Sequence, residues 1–181
     1  MSKPTCKVVD WDATGRDPGL VAQIEAIFWQ TSLRAFTPGP ERDAFRERWL
    51  GRYMQGGSDV VLLAMAGEDT LAGYLVGALE DPAEQERFAD IGYFRSAFAN
   101  LTRRFPAHLH INLAPAFRSQ GLGARLIEAF AQHAREAGAP GMHVVTGKGM
   151  RNVRFYSRCG FVERGTAPWN GGTIVLLGRD L

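Results

Sequence analysis

The chain has 181 residues, with Lys+Arg 21 against Asp+Glu 19 and a formal net charge of +2. Its 45% hydrophobic and 22% charged residues suit one ordinary globular domain and exclude intrinsic disorder and a stapled mini-protein. So small a charge excess, with no basic run longer than Arg103-Arg104, announces no nucleic-acid partner, and two cysteines, Cys6 and Cys159, are too few for a disulfide framework or a metal cage.

In chain order, Thr5 to Asp10 is short and β-branched, as in a strand. Asp17-Pro18 opens a helical pattern with Leu20, Val21, Ile24, Ile27 and Phe28 at helical spacing. Thr37-Pro38-Gly39-Pro40 breaks the chain. A second helix is expected from Glu41 to Tyr53, with Phe45 and Trp49 on one face, ended by Gly56-Gly57-Ser58-Asp59. Val60 to Ala66 and Leu71 to Leu79 read as a hairpin around Gly67-Glu68-Asp69.

Residues 80–105 turn from charged to aromatic and are expected to hold one or two helices, with Phe98 and Phe105 in the core. His108 to Leu113 alternates as a strand, His108, His110 and Asn112 pointing one way. A helix follows from Leu122 to Ala137, its buried stripe formed by Leu122, Leu126, Ile127, Phe130 and Ala134. Met142 to Thr146 is a strand, Asn152 to Arg158 a short helix, and Gly172 to Leu177 a final strand. A hairpin followed by a βαβ unit implies an α/β (α+β) fold, a mixed sheet of six or seven strands with helices on both faces.

No apolar run approaches the roughly 18 residues that span a bilayer. The first residues lack the apolar stretch of a signal peptide. The expectation is a cytoplasmic chain of one domain over residues 1–181, with no membrane partner.

The chemistry concentrates in Ile111-Asn112-Leu113-Ala114-Pro115-Ala116-Phe117-Arg118-Ser119-Gln120-Gly121-Leu122-Gly123-Ala124. A strand runs into a glycine turn that opens a helix. First-turn amides of a helix have no internal acceptor, and the dipole there favours negative charge. Gly121 and Gly123 remove Cβ atoms that would keep a phosphate away, and Arg118 adds a charged donor. This is a diphosphate cradle. A Walker loop fails because Gly147-Lys148 is followed by Gly149. A dinucleotide fingerprint fails because Leu126 stands where a third small residue belongs, and Thr146 where an acid should close the next strand.

Arg118-Ser-Gln-Gly121-Leu-Gly123, followed by Asn152-Val-Arg-Phe155-Tyr156-Ser-Arg-Cys-Gly160-Phe161, resembles the GNAT superfamily of acetyl-CoA-dependent N-acetyltransferases. The finer wording, HLHINLAPAFRSQGLGARLI with GAPGMHVV, is similar to the acetyltransferase-like branch related to the C-terminal domain of O-GlcNAcases, which usually has Asp where Asn112 stands. The resemblance implies a V-shaped splay between the central parallel strands, into which the pantetheine arm of coenzyme A inserts. It implies that main-chain groups of Asn112 and Leu113 pair with the arm. Arg118 and the turn Ser119, Gln120, Gly121, Leu122, Gly123 and Ala124 would hold the pyrophosphate, Asn152 would bond the arm, and Tyr156 would protonate the departing thiolate.

The implied enzyme moves an acetyl or longer acyl group from acetyl-CoA to a primary amine of a small molecule or peptide, with a homodimer allowed. Glu80, Asp81, His110 or a water is the base. The alternative is an acyl-CoA-binding module without transfer chemistry, which Asn112 favours; a different nucleotide-binding enzyme is a third reading. His108-x-His110 lacks a third metal ligand in register and reads as core. Cys159 has no paired His nearby and reads as structural. Tyr93, Phe94, Phe36 and Trp169 are open as acceptor-pocket residues.

Overall fold

The computed structural model describes residues 6–32, 34–56 and 59–181. Its strands are β1 (Cys6–Asp10), β2 (Asp59–Ala66), β3 (Leu71–Ala78), β4 (Ala107–Leu113), β5 (Gly141–Gly147), β6 (Val162–Trp169) and β7 (Gly172–Asp180). Its helices are α1 (Pro18–Thr31), α2 (Pro40–Trp49), α3 (Tyr93–Ser96), α4 (Ala99–Arg104), α5 (Leu122–Glu136) and α6 (Arg151–Arg158). The strands form one mixed sheet in the order β1-β2-β3-β4-β5-β7-β6. β1/β2, β5/β7 and β6/β7 are antiparallel, whereas β4/β5 is parallel. The chain forms two compact units, residues up to Gly77 with His110–Phe130, and Ala78–Leu109 with Ala131–Leu181. Thr5, Gly57 and Ser58 of the expected elements lie outside the described residues.

In the first unit, Asp17 accepts from Gly19 N–H (2.8 Å) and Pro18 occupies the first helical position, so α1 starts where its capping residues dictate. Leu20, Ile24, Ile27 and Phe28 are its buried stripe, while Val21 is half-buried. Gln23 leaves that stripe to clamp the hairpin turn: it donates to Asp69 O (2.9 Å) and accepts from Leu71 N–H (2.9 Å).

Helix α2 stops at Trp49, four residues short of the expected end. Leu50 (φ −141°) breaks it, and a 3-10 turn over Gly51–Met54 follows. Leu50 and Tyr53 are thereby both fully buried.

In the second unit the aromatic stretch is core. Phe98 and Phe105 are buried as expected, and so are Tyr93 and Phe94. Strand β6 was absent from the sequence reading. Its residues VERGTAPW contain Gly165 and Pro168 and show no apolar alternation, because it is a sheet edge with a bulge between Glu163 and Gly165. Its partner β7 carries the buried residues Val175, Leu176 and Leu177 and runs on to Asp180.

Candidate active site

The end of β4 is held on the β3 side by main-chain contacts. Ala114 N–H donates to Ala72 O (3.0 Å). Alternate residues of a strand turn their main-chain groups to the same edge, so those of Asn112 also face β3 and those of Leu113 face the other edge. A Cβ on Gly73 would accordingly lie 2.7 Å from the Asn112 carbonyl oxygen. Of the two residues expected to pair with a ligand, Leu113 presents its main chain to that outer edge. The parallel ladder of β4 with β5 covers two pairs, Ala107↔Met142 and His108↔His143, in strands of seven residues each.

The Asn112 side chain is half-buried and works within the fold. It accepts from Thr31 Oγ1 (2.9 Å) and donates to Tyr74 Oη (2.9 Å). Burial pushes the Tyr74 hydroxyl pKa up, against a lowering by Asn112, so the phenol stays protonated. Neither Thr31 nor Tyr74 was singled out from sequence.

After β4, a 3-10 turn over Pro115–Phe117 leads to the cradle. Ser119 (φ +60°) and Gly121 (φ +78°) both sit in the left-handed region. A Cβ at Gly121 would meet nothing within 4 Å among the described residues, which leave the space before the helix open. The first intrahelical donor of α5 near this end is Arg125 N–H to Gly121 O (3.2 Å). The amides of Leu122, Gly123 and Ala124 precede it and, by helix geometry, have no acceptor within the helix. Arg118, Ser119, Gln120, Gly121 and Ala124 are exposed, while Leu122 and Gly123 are buried and seat the helix. Gln120 Nε2 donates to Ala116 O (3.1 Å) and Arg118 Nε to Leu113 O (3.2 Å). Left-handed turn residues, amides ahead of a helix dipole and an arginine form a cradle that fits a phosphate group.

In the second unit, Asn152 is exposed in the first turn of α6, and its amide exchanges hydrogen bonds with Thr146 Oγ1 (3.0 and 3.1 Å). Tyr156 is 7% exposed and packs on Phe155 (centroids 5.2 Å) and Phe161 (5.6 Å). Burial pushes its hydroxyl pKa up, and Cys159 adds to that, so it is a neutral phenol. The Cys159 carbonyl accepts from Arg179 (3.1 Å), and the residue is half-buried.

His108 is buried, its ring parallel to that of His143 (5.5 Å, 26°) and edge-on to Phe88 (4.7 Å). Among the described residues no three His, Cys, Asp or Glu side chains form a group that could hold a metal. His110 is half-buried, with Nε2 3.1 Å from the Tyr53 hydroxyl and its ring edge-on to Trp49 (5.2 Å). Glu80 is exposed, and Asp81 accepts from Ala83 N–H (2.9 Å). Phe36 lies against Phe45 (4.6 Å), and Trp169 packs edge-on to Tyr93 (5.4 Å).

Among the described residues no helix is long and apolar enough to cross a membrane. The model of the Acetyltransferase (GNAT) family matches residues 21–161. Several solved structures share the fold at low identity. A structure assigned to the GNAT acetyltransferases, from Desulfovibrio desulfuricans, is 18% identical, with TM-score 0.68 and 97% of this chain and 99% of that one covered. A GCN5-related N-acetyltransferase from Kribbella flavida is 17% identical, with TM-score 0.62 and 97% and 98% covered. The protein yncA from Salmonella typhimurium, solved with its cofactor acetyl-CoA, is 15% identical, with TM-score 0.59 and 99% and 94% covered. With the family model spanning most of its length, this chain belongs to the GNAT acetyltransferase family.

Proposed function

We propose that the protein is a cytoplasmic, single-domain enzyme that transfers an acetyl or longer acyl group from coenzyme A directly to a primary amine of a small molecule or peptide. The observation that carries the reading is the turn at Gly121, where a left-handed glycine faces open space before the first amides of α5. Acetyl-CoA supplies the activated thioester. Arg118 and the amides of Ser119, Gln120, Gly121, Leu122, Gly123 and Ala124 hold the pyrophosphate, and the edge-facing main chain of Leu113 pairs with the pantetheine arm. Asn152 bonds the same arm. Tyr156, kept neutral by burial, gives its proton to the departing thiolate.

The amine must lose a proton before or during attack. Of Glu80, Asp81 and His110, His110 is supported best, because the Tyr53 hydroxyl holds its ring in a half-buried position. The wording around Asn112 also supports a place near the O-GlcNAcase-related branch, with Asn112 serving the fold through Thr31 and Tyr74.

The test is release of free thiol from acetyl-CoA against a panel of amines. Amine-dependent release supports transfer. Tight coenzyme A binding with no release on any acceptor supports the second reading, an acyl-CoA-binding module, which the buried and acid-weakened Tyr156 hydroxyl favours. Thermal stabilisation by NAD or ATP but not by coenzyme A would overturn both.

A further inference from the structure

Leu113 is the residue whose main chain faces the edge of β4 away from β3, and its carbonyl oxygen accepts from Arg118 Nε at 3.2 Å. Arg118 therefore occupies the acceptor that a ligand lying along this edge would use. The same guanidinium is exposed and carries a charge that carbonyl groups neutralise poorly and phosphate oxygens neutralise well. The two demands compete for one side chain.

We infer that Arg118 is a specificity-determining residue that makes binding of the pantetheine arm conditional on the pyrophosphate. The inference rests on the coenzyme A reading above. A ligand that brings the pyrophosphate draws Arg118 off the Leu113 carbonyl and frees that oxygen for an amide N–H of the arm. A ligand with the arm alone must displace Arg118 and returns nothing to its charge. Arg118 thus favours intact acyl-CoA over shorter pantetheine thioesters, although it touches the far end of the molecule. Population-shift logic requires this asymmetry, since only a ligand with differential affinity for the two positions of the arginine can move it.

The inference gives Arg118→Ala effects of opposite sign on two ligands. The full chain, wild type and variant, is titrated with coenzyme A and with pantetheine, which has the arm and no phosphate. The amide NMR signals of Leu113 and Ala114 are followed. Coenzyme A affinity falls in the variant. Pantetheine affinity rises by roughly two- to tenfold, the weight of one hydrogen bond that no longer has to be broken. Pantetheine affinity that is unchanged or lower in the variant, while wild type binds coenzyme A, overturns the inference. Wild type that fails to bind coenzyme A overturns the functional reading instead, so the two failures are distinct. Arg118 is exposed, so its truncation leaves the fold in place, and a thermal melt of the variant checks this.

Discussion

Gly73 and Leu113 stand so close that a methyl group on the glycine would run into Leu113 Cδ2 and lie 2.7 Å from the Asn112 carbonyl oxygen. Leu113 Cα is 3.1 Å from the same point. Backbone atoms cannot swing aside, so Gly73→Ala has to part β3 from the end of β4. Chemical denaturation should show a loss of about 1–3 kcal/mol, and coenzyme A affinity should fall with it. An unchanged midpoint would mean that this end of β4 shifts without cost.

Gly121→Val places a branched side chain in front of the first amides of α5, in a backbone conformation with φ +78°. The fold should survive with a strain cost of about 1–2 kcal/mol. Coenzyme A affinity by calorimetry should drop by roughly tenfold or more. A folded variant with wild-type affinity would refute the cradle.

Asn112→Asp keeps the shape of the side chain and removes its N–H donor. The carboxylate can still accept from Thr31 and can accept from the Tyr74 hydroxyl once that group turns its proton towards it, so both contacts can persist, but it brings a charge into half-buried surroundings. A stability loss of about 1–3 kcal/mol is expected at neutral pH. Equal unfolding midpoints for the two proteins would show that the Thr31 and Tyr74 hydroxyls accommodate the charge without cost.

Tyr156→Phe removes one hydroxyl and leaves the packing on Phe155 and Phe161 in place. Coenzyme A affinity should stay within error of wild type. The single-turnover rate should fall by about 10²–10⁴-fold, the usual effect of a lost general acid. A wild-type rate would leave Tyr156 as a packing residue, with the thiolate taking its proton from water or from the acetylated amine.

His143 is fully buried, Nδ1 bonded to the Phe105 carbonyl and Nε2 with no hydrogen-bond partner among the described residues, beside the rings of Phe94 and His108. Burial pulls its pKa from 6.5 down to about 4, against smaller raising effects of Phe105 and Asp81. The unfolded chain takes up this proton near pH 6.5 and the folded chain only near 4. Stability from the neutral ring is therefore complete above 6.5, declines as the pH falls between these values, and levels off below. The decline is worth about 3 kcal/mol. Urea midpoints for wild type and His143→Leu between pH 7 and 4 check it: the variant should lose this part of the slope, and parallel profiles would remove His143 as its source.

What could be read from sequence followed the range of the forces involved. In α5 the stripe Leu122, Leu126, Ile127, Phe130 and Ala134 has one uninterrupted period, and those residues are buried. The turn at Gly121 was legible because its glycines, arginine and following helix are consecutive. Strand β6 was not, because an edge strand with Gly165 and Pro168 has no apolar alternation to detect. The partners of Asn112 were invisible because Thr31 lies 81 residues away and Tyr74 38, and no local pattern reports a long-range pair. Nor does a serine advertise a positive φ, so the left-handed Ser119 emerged only in three dimensions.

Strand β6 ends the sheet, and along it run a bulge between Glu163 and Gly165, two adjacent charged residues, Glu163 and Arg164, and a proline at 168. Another chain seeking to add a strand there meets a kinked rail with a missing donor and charges that would have to be stripped of water. Copies of the protein should therefore not stack edge to edge through β6, and any lasting pairing of two copies would have to use another part of the surface, such as the β1 edge or a face.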